Sequence, residues 1–292
     1  MYDCKRVEAA GHRENSFMRK IYGWVGLGIM GGSELSLFAG VSFVCTYFTP
    51  LVLSGYILFM DSLVYKKKGA SLILSRPKEF LLMLPLSIGF WMIFEFYNHY
   101  IRNWYYLGLP ENMFLRGMGY AWAFATIWPA ILITTEALEG WRFPYPHRMK
   151  PFRLPKKYLF IFIGLGFLCL ISPLLASPRI GRYLAAPIWL GFIFLLDPLN
   201  YLMGGKSLLR DLEEANPRLL YNLLLSGIIC GMLWEFWNFW AGAKWYYDIP
   251  ILGHVKIFEM PILGYLGFPP FAVECYVMYE FVKIIFNGKP KL

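Results

Sequence analysis

Apolar residues in this chain run in blocks of roughly twenty, the length a helix needs to cross the hydrocarbon core of a bilayer. Eight blocks predict transmembrane helices near 21–43, 47–65, 80–101, 117–138, 158–176, 181–199, 219–240 and 261–283. Polar stretches separate them. The first 20 residues hold Lys5, Arg6, Arg13, Arg19 and Lys20 and lack a small-residue cleavage site, so they read as a cytoplasmic tail rather than a signal peptide.

The pattern also repeats. The stretch 55–72, GYILFMDSLVYKKKGASL, lies without a gap over 191–208, GFIFLLDPLNYLMGGKSL. Gly55, Asp61, Tyr65, Gly69 and Ser71 thereby match Gly191, Asp197, Tyr201, Gly205 and Ser207. Further on, Glu95 and Asn98 match Glu235 and Asn238, the WYY triplet at 104–106 matches that at 245–247, and Pro110 matches Pro250. The fourth and eighth predicted spans are more loosely alike, each with a mid-span proline (Pro129; Pro269 and Pro270) and a later glutamate (Glu136; Glu274). These matches predict an all-α polytopic membrane protein of eight helices, built as two four-helix repeats at 21–138 and 158–283. An even number of spans per repeat makes the two parallel rather than inverted. A basic linker at 139–157 joins them, and 284–292 forms a C-terminal tail.

Composition agrees with the pattern. Of the 292 residues, 58% are hydrophobic and 16% charged, against about 25% charged in an average soluble domain. Charge then sets the orientation. Of the 28 Lys and Arg, all but Arg102, Arg116, Arg179, Arg182, Lys244 and Lys256 fall on the side of the predicted bundle that carries both termini. By the positive-inside rule both termini are cytoplasmic, in a plasma membrane of the bacterial inner-membrane type. The net charge of +9 is thus a topology signal, and no basic domain is left over to bind nucleic acid. The five cysteines have no metal-type spacing, and the four histidines form no pair at i, i+4, so no metal site is predicted. Gly204-to-Ser207 resembles the end of a phosphate loop but lacks the upstream glycine and a preceding strand.

Candidate chemistry sits in the repeated motif. Glu95 and Asn98, like Glu235 and Asn238, are three residues apart on one helix and share a face. An acid at that depth costs several kcal/mol unless it is paired or faces a polar interior. Two readings follow: a pocket whose acids exchange protons with a substrate, or interhelical glue in which acid and amide satisfy their neighbours. Aromatic density favours the pocket, with Trp91, Phe94, Trp104, Tyr105, Trp234, Trp237, Trp245 and Tyr246 as candidate substrate-binding residues. Ring faces stabilise cations in dry sites, although Trp and Tyr also collect at any membrane boundary. Asp61, Asp197 and Glu274 are secondary acidic candidates. The two aspartates, near the ends of their spans, have Lys66, Lys67, Lys68 or Lys206 within reach as simple ion-pair partners. Glu34, in the first span, has no acidic counterpart in the second repeat.

The pair Trp234 and Glu235, followed by KWYYDIPILG at 244–253, resembles the middle of the membrane lycopene cyclases. Phe59, Met60 and Asp61 ahead of Lys66–Lys68 resemble the acidic end of that family's first helix. The family's Pro-x-Glu-Glu signature is not reproduced: Pro261 is present, but Leu263 and Gly264 stand where its glutamates belong. The resemblance implies a shared fold and acid-initiated, cofactor-free cyclisation or isomerisation of a hydrophobic isoprenoid or carotenoid-like molecule. It makes Glu95 and Glu235 catalytic, with Asn98 and Asn238 orienting them. The expected partners are therefore the lipid bilayer and an isoprenoid-like small molecule. Two other classes remain open: a transporter or lipid-binding protein with its site between the repeats, and a structural subunit of a membrane complex.

Overall fold

A computed structural model describes residues 3–141 and 150–287, with side chains from 21–141 and 150–286. The middle of the predicted linker and the end of the predicted C-terminal tail lie outside the described residues. The chain is a helical membrane protein. Six of its helices or helix pairs are long and apolar enough to cross a bilayer: Ser42–Lys68, Pro77–Ile101, Met113–Trp141, Lys156–Leu175, Ala185–Leu202 and Arg218–Trp240. Predicted spans 21–43 and 261–283 have no counterpart in that set, although helices run through both. In the first, glycines at 23, 26, 28, 31 and 32 together with Glu34 dilute the apolar run. In the second, Glu274, Glu280 and Lys283 interrupt it.

Chain contacts divide the molecule into two compact units, which do not coincide with the sequence halves. The first comprises residues 1–88, 108–141 and 241–243; the second comprises 89–107, 142–240 and 244–292.

The first unit holds α1 (Asp3–Phe38), α2 (Ser42–Lys68), α3 (Leu72–Ser75), the opening part of α4 (Pro77–Ile101), α5 (Met113–Ala125) and α6 (Ile127–Trp141). Helix α1 runs on from the segment predicted as a tail and stops before Gly40, whose φ of 72° no L side chain favours. It packs on α2 backbone to backbone. A Cβ on Gly26 would lie 2.6 Å from the Gly55 carbonyl oxygen, so only small residues permit this crossing. The predicted fourth span is broken at Thr126 into α5 and α6. Ser87 bridges the break, its Oγ donating to the Phe124 carbonyl at 2.5 Å and accepting from the Trp128 N–H at 3.1 Å.

The second unit takes the rest of α4, then β1 (Trp104–Leu107), α7 (Lys156–Leu175), α8 (Pro178–Gly181), α9 (Ala185–Leu202), α10 (Leu208–Glu213) and α11 (Arg218–Trp240). After these come β2 (Lys244–Tyr247), β3 (Lys256–Ile257), β4 (Met260–Pro261), a 3₁₀ turn at 262–267 and α12 (Phe268–Asn287). Helices α7 and α9 cross as α1 and α2 do: a Cβ on Gly166 would sit 2.9 Å from the Gly191 carbonyl oxygen. Gly55 and Gly191, matched in the sequence repeat, each stand at such a crossing. The helix in the region predicted as the eighth span begins only at Phe268, because 256–261 form a small hairpin and 262–267 the 3₁₀ turn.

Candidate functional site

The matched Trp-Tyr-Tyr triplets, at 104–106 and 245–247, pair with each other as an antiparallel ribbon. Trp104 stands opposite Tyr247, Tyr105 opposite Tyr246 and Tyr106 opposite Trp245. Side chains alternate along a strand, so Trp104, Tyr106, Trp245 and Tyr247 share one face and Tyr105 and Tyr246 the other. The two outward tyrosines lie ring to ring, 5.3 Å between centroids. The four inward side chains are all hydrogen-bond donors.

Those donors converge on the glutamates. Glu95 Oε1 accepts from Trp104 Nε1 at 3.1 Å, from Tyr106 OH at 2.5 Å and from Trp91 Nε1, one helical turn back, at 2.8 Å. Glu235 Oε1 accepts from Trp245 Nε1 at 3.0 Å and Tyr247 OH at 3.0 Å. The asparagines fasten the strand backbones. Asn98 donates to the Trp104 carbonyl at 2.8 Å and accepts from the Asn103 and Trp104 N–H groups. Asn238 donates to the Trp245 carbonyl at 2.8 Å and accepts from its N–H at 2.9 Å. Each helix end thus holds its own strand by an amide–peptide clamp and a carboxylate that receives the strand's donors. The bonds from the Trp and Tyr side chains to each glutamate, and those between each asparagine and its Trp backbone, use the same atoms in both copies; Trp91 and the Asn103 N–H add two more in the first.

The copies differ in burial. Glu95 and Asn98 are half-buried, whereas Glu235 and Asn238 are fully buried. Glu235 Oε2 has no hydrogen-bond partner among the described residues, so one oxygen of a completely buried carboxyl is left over. Burial together with the Glu235 carboxylate holds the Tyr247 phenol well above its ordinary range. Tyr265, in the 3₁₀ turn, is pushed up to about 12, first by burial and then by Glu235.

Beside the ribbon lies a cluster of rings. Phe271, on α12, is its centre: Trp189, Phe94, Trp91 and Trp234 have their centroids 5.5, 5.6, 5.8 and 6.1 Å away. Most meet edge to face, the arrangement that opposes a positive ring edge to a negative face. Trp104 joins the cluster through Trp91 and Trp189 and is also a donor to Glu95, so Glu95 and the rings form one continuous site, and Glu235 is joined to it through the ribbon. Of the predicted substrate-binding residues, Trp91, Phe94, Trp104 and Trp234 belong to this cluster, and Trp245 to the ribbon's inward face. Tyr105 and Tyr246 stand on the opposite face. Trp237 is buried on α11.

Tyr106, Tyr247, Trp189 and Phe271 were missed. The first two carried a signal in the triplets themselves, since a strand sends the first and third residues to the same side. Trp189 and Phe271 carried none, because only the packing of α9 and α12 brings them to α4.

The secondary acids fall elsewhere. In the first unit, buried Asp61 accepts from Tyr22 OH, Ser71 Oγ and the Ile73 N–H. In the second, buried Asp197 accepts from Ser207 Oγ and from the N–H groups of Leu208 and Leu209. Ser71 and Ser207 are the N-caps of α3 and α10. Each aspartate therefore anchors the first turn of a short helix. The expected lysine pairing is not what holds them; Lys68 bonds Glu139 instead, at 2.8 Å. Glu274 is wholly buried on α12, with no side-chain partner on either oxygen among the described residues, and the Phe192 backbone N–H approaches it. No group of three or more His, Cys, Asp or Glu able to hold a metal occurs among the described residues.

Comparison with family models, with curated proteins and with solved structures gave no match.

Proposed function

We propose that this protein is a membrane enzyme that isomerises or cyclises a hydrophobic, isoprenoid-like polyene through a cationic intermediate. The observation that carries this reading is Glu235. It is a fully buried carboxyl whose Oε1 is fixed by an indole and a phenol while Oε2 stays unpartnered. Two donors on one oxygen suit a carboxylate, and they fix the direction of the free oxygen. The ring cluster alongside supplies faces that stabilise a carbocation. In this scheme Glu235 receives the proton that ends the reaction, with Glu95 as its counterpart in the half-buried copy. Asn98 and Asn238 act as positioning residues, holding the strands whose side chains orient the acids. No electrons are gained or lost, so the product is an isomer of the substrate. The enzyme lies in a bacterial-type inner membrane with both termini in the cytoplasm, and resembles the lycopene cyclases in the Trp-Glu and KWYYDIPILG stretches.

Expression in cells that accumulate acyclic isoprenoids tests the proposal. The expected outcome is a new product of unchanged mass, lost in Glu235→Gln and retained in Tyr105→Phe. An unchanged profile across several acyclic precursors overturns it.

A second reading, a structural subunit of a membrane complex, draws on the clamps. Three donors on Glu95 Oε1 and amides at Asn98 and Asn238 that each donate to and accept from the strand are what a purely mechanical tie between helix and ribbon requires.

A further inference from the structure

A proton-initiated reaction needs a donor as well as an acceptor, and Glu235 is furnished as the acceptor. The geometry points to Glu274 as the donor, an assignment that rests on the reading just given.

Glu274 is 0% exposed, and neither of its oxygens has a side-chain partner among the described residues. Its surroundings are the opposite of those at Glu235, where indole and phenol donors meet the carboxyl. An unpaired charge in an apolar interior costs far more than a neutral acid, so a carboxyl with no side-chain donor on it among the described residues is suited to carry a proton. When two acids serve one reaction, such a contrast in environment assigns their roles.

Glu274 also borders the rings. It follows Phe271 by three residues on α12, which puts the two on one helix face, and Phe271 is the centre of the cluster. Phe192 and Tyr97 extend the rings: their centroids are 6.4 Å apart, Phe192 lies 6.0 Å from Phe94, and the Phe192 backbone N–H approaches Glu274. The Tyr97 hydroxyl is committed to the Leu170 carbonyl at 3.0 Å. Acid, rings and carboxylate are therefore supplied by α12, α4, α9 and α11 of one compact unit.

The step balances. The Glu274 O–H bond breaks and leaves its electron pair on the carboxylate. The π pair of a substrate C=C forms the new C–H bond, and the neighbouring carbon becomes cationic over the rings. In a cyclisation a second C=C attacks that carbon and moves the charge along. A C–H bond next to the final cation then gives its proton to Glu235, and its electron pair becomes the new C=C. One proton leaving Glu235 and one reaching Glu274 reset the site.

The test uses the full chain in lipid nanodiscs, by infrared spectroscopy and by product analysis with an acyclic polyene. Wild type is expected to show a carboxylic C=O stretch that shifts in D₂O. Glu274→Gln should lose that band and slow product formation about 100-fold or more, the scale of general acid catalysis, while melting like wild type. Glu235→Gln should keep the band and lose the product. Glu274→Asp, which restores the acid one methylene short, should recover the band and part of the rate. Survival of the band in Glu274→Gln, or full product formation by it, overturns the assignment and leaves the enzyme reading standing. Absence of product from wild type overturns both.

Discussion

Replacing Tyr247 with Phe removes one of the two donors on a fully buried Glu235 and leaves the ring in place. A buried group deprived of a hydrogen bond costs about 1–3 kcal/mol, and thermal unfolding in detergent should show a loss of that size. Tyr246→Phe, one position earlier on the ribbon's other face, should stay within about 0.5 kcal/mol of wild type. Equal effects at both positions would contradict the alternation on which the site is built. The same phenol has an alkaline signature. Its folded pKa is raised above the unfolded value of about 10. Its contribution to stability is therefore complete below pH 10 and is lost only as pH climbs towards the folded value. In a spectroscopic titration Tyr247 should ionise among the last tyrosines, and Tyr247→Phe should delete that late component. The sequence made the glutamates and asparagines legible at this scale because the repeat singled them out. It concealed their partners, because reading the aromatic triplets as a boundary belt ignores the period of two that puts Trp and the second Tyr on one side.

Helices were easier to read than the ribbon. Apolar runs located α2, α4, α7, α9 and α11 within a few residues, since a bilayer leaves a helix little choice of length. The break between α5 and α6, and the late start of α12 at Phe268, depended on tertiary bonds that hydropathy does not encode. The β1–β2 ribbon joins segments too far apart in the chain for any local window to pair them. Small residues at helix crossings offer a direct check. Gly26→Ala would drive a Cβ to 2.6 Å from the Gly55 carbonyl oxygen, and the Gly166 counterpart would lie 2.6 Å from the Leu195 nitrogen. Overpacking of this kind costs about 1–3 kcal/mol. Gly28→Ala, two residues further along α1, meets nothing within 4 Å. It should instead gain up to about 1 kcal/mol from helix propensity. Opposite signs for these neighbouring substitutions in a melting series would establish the α1–α2 crossing; the same sign would refute it.

At the level of the whole molecule, two kinds of division coexist. The sequence divides into two similar halves, whereas the packing puts 89–107 of the first half into one unit with most of the second. The ribbon accounts for this. It takes one strand from each half, so the first half's Trp-Tyr-Tyr and the helix end that clamps it are drawn into the unit that holds the second half's copy. The prediction at this scale is topological. Reporter fusions at residue 2 and at the C-terminus should both report the cytoplasm, and a cysteine placed at Asp248, 65% exposed in its side chain at the ribbon's end, should react only with reagent supplied from the opposite face. Six spans and eight spans both return the termini to one side, so labelling at Phe38 discriminates between them. If α1 crosses the membrane, Phe38→Cys is reached from the same face as Asp248→Cys; if it lies along the membrane surface, Phe38→Cys is reached from the face that carries the termini.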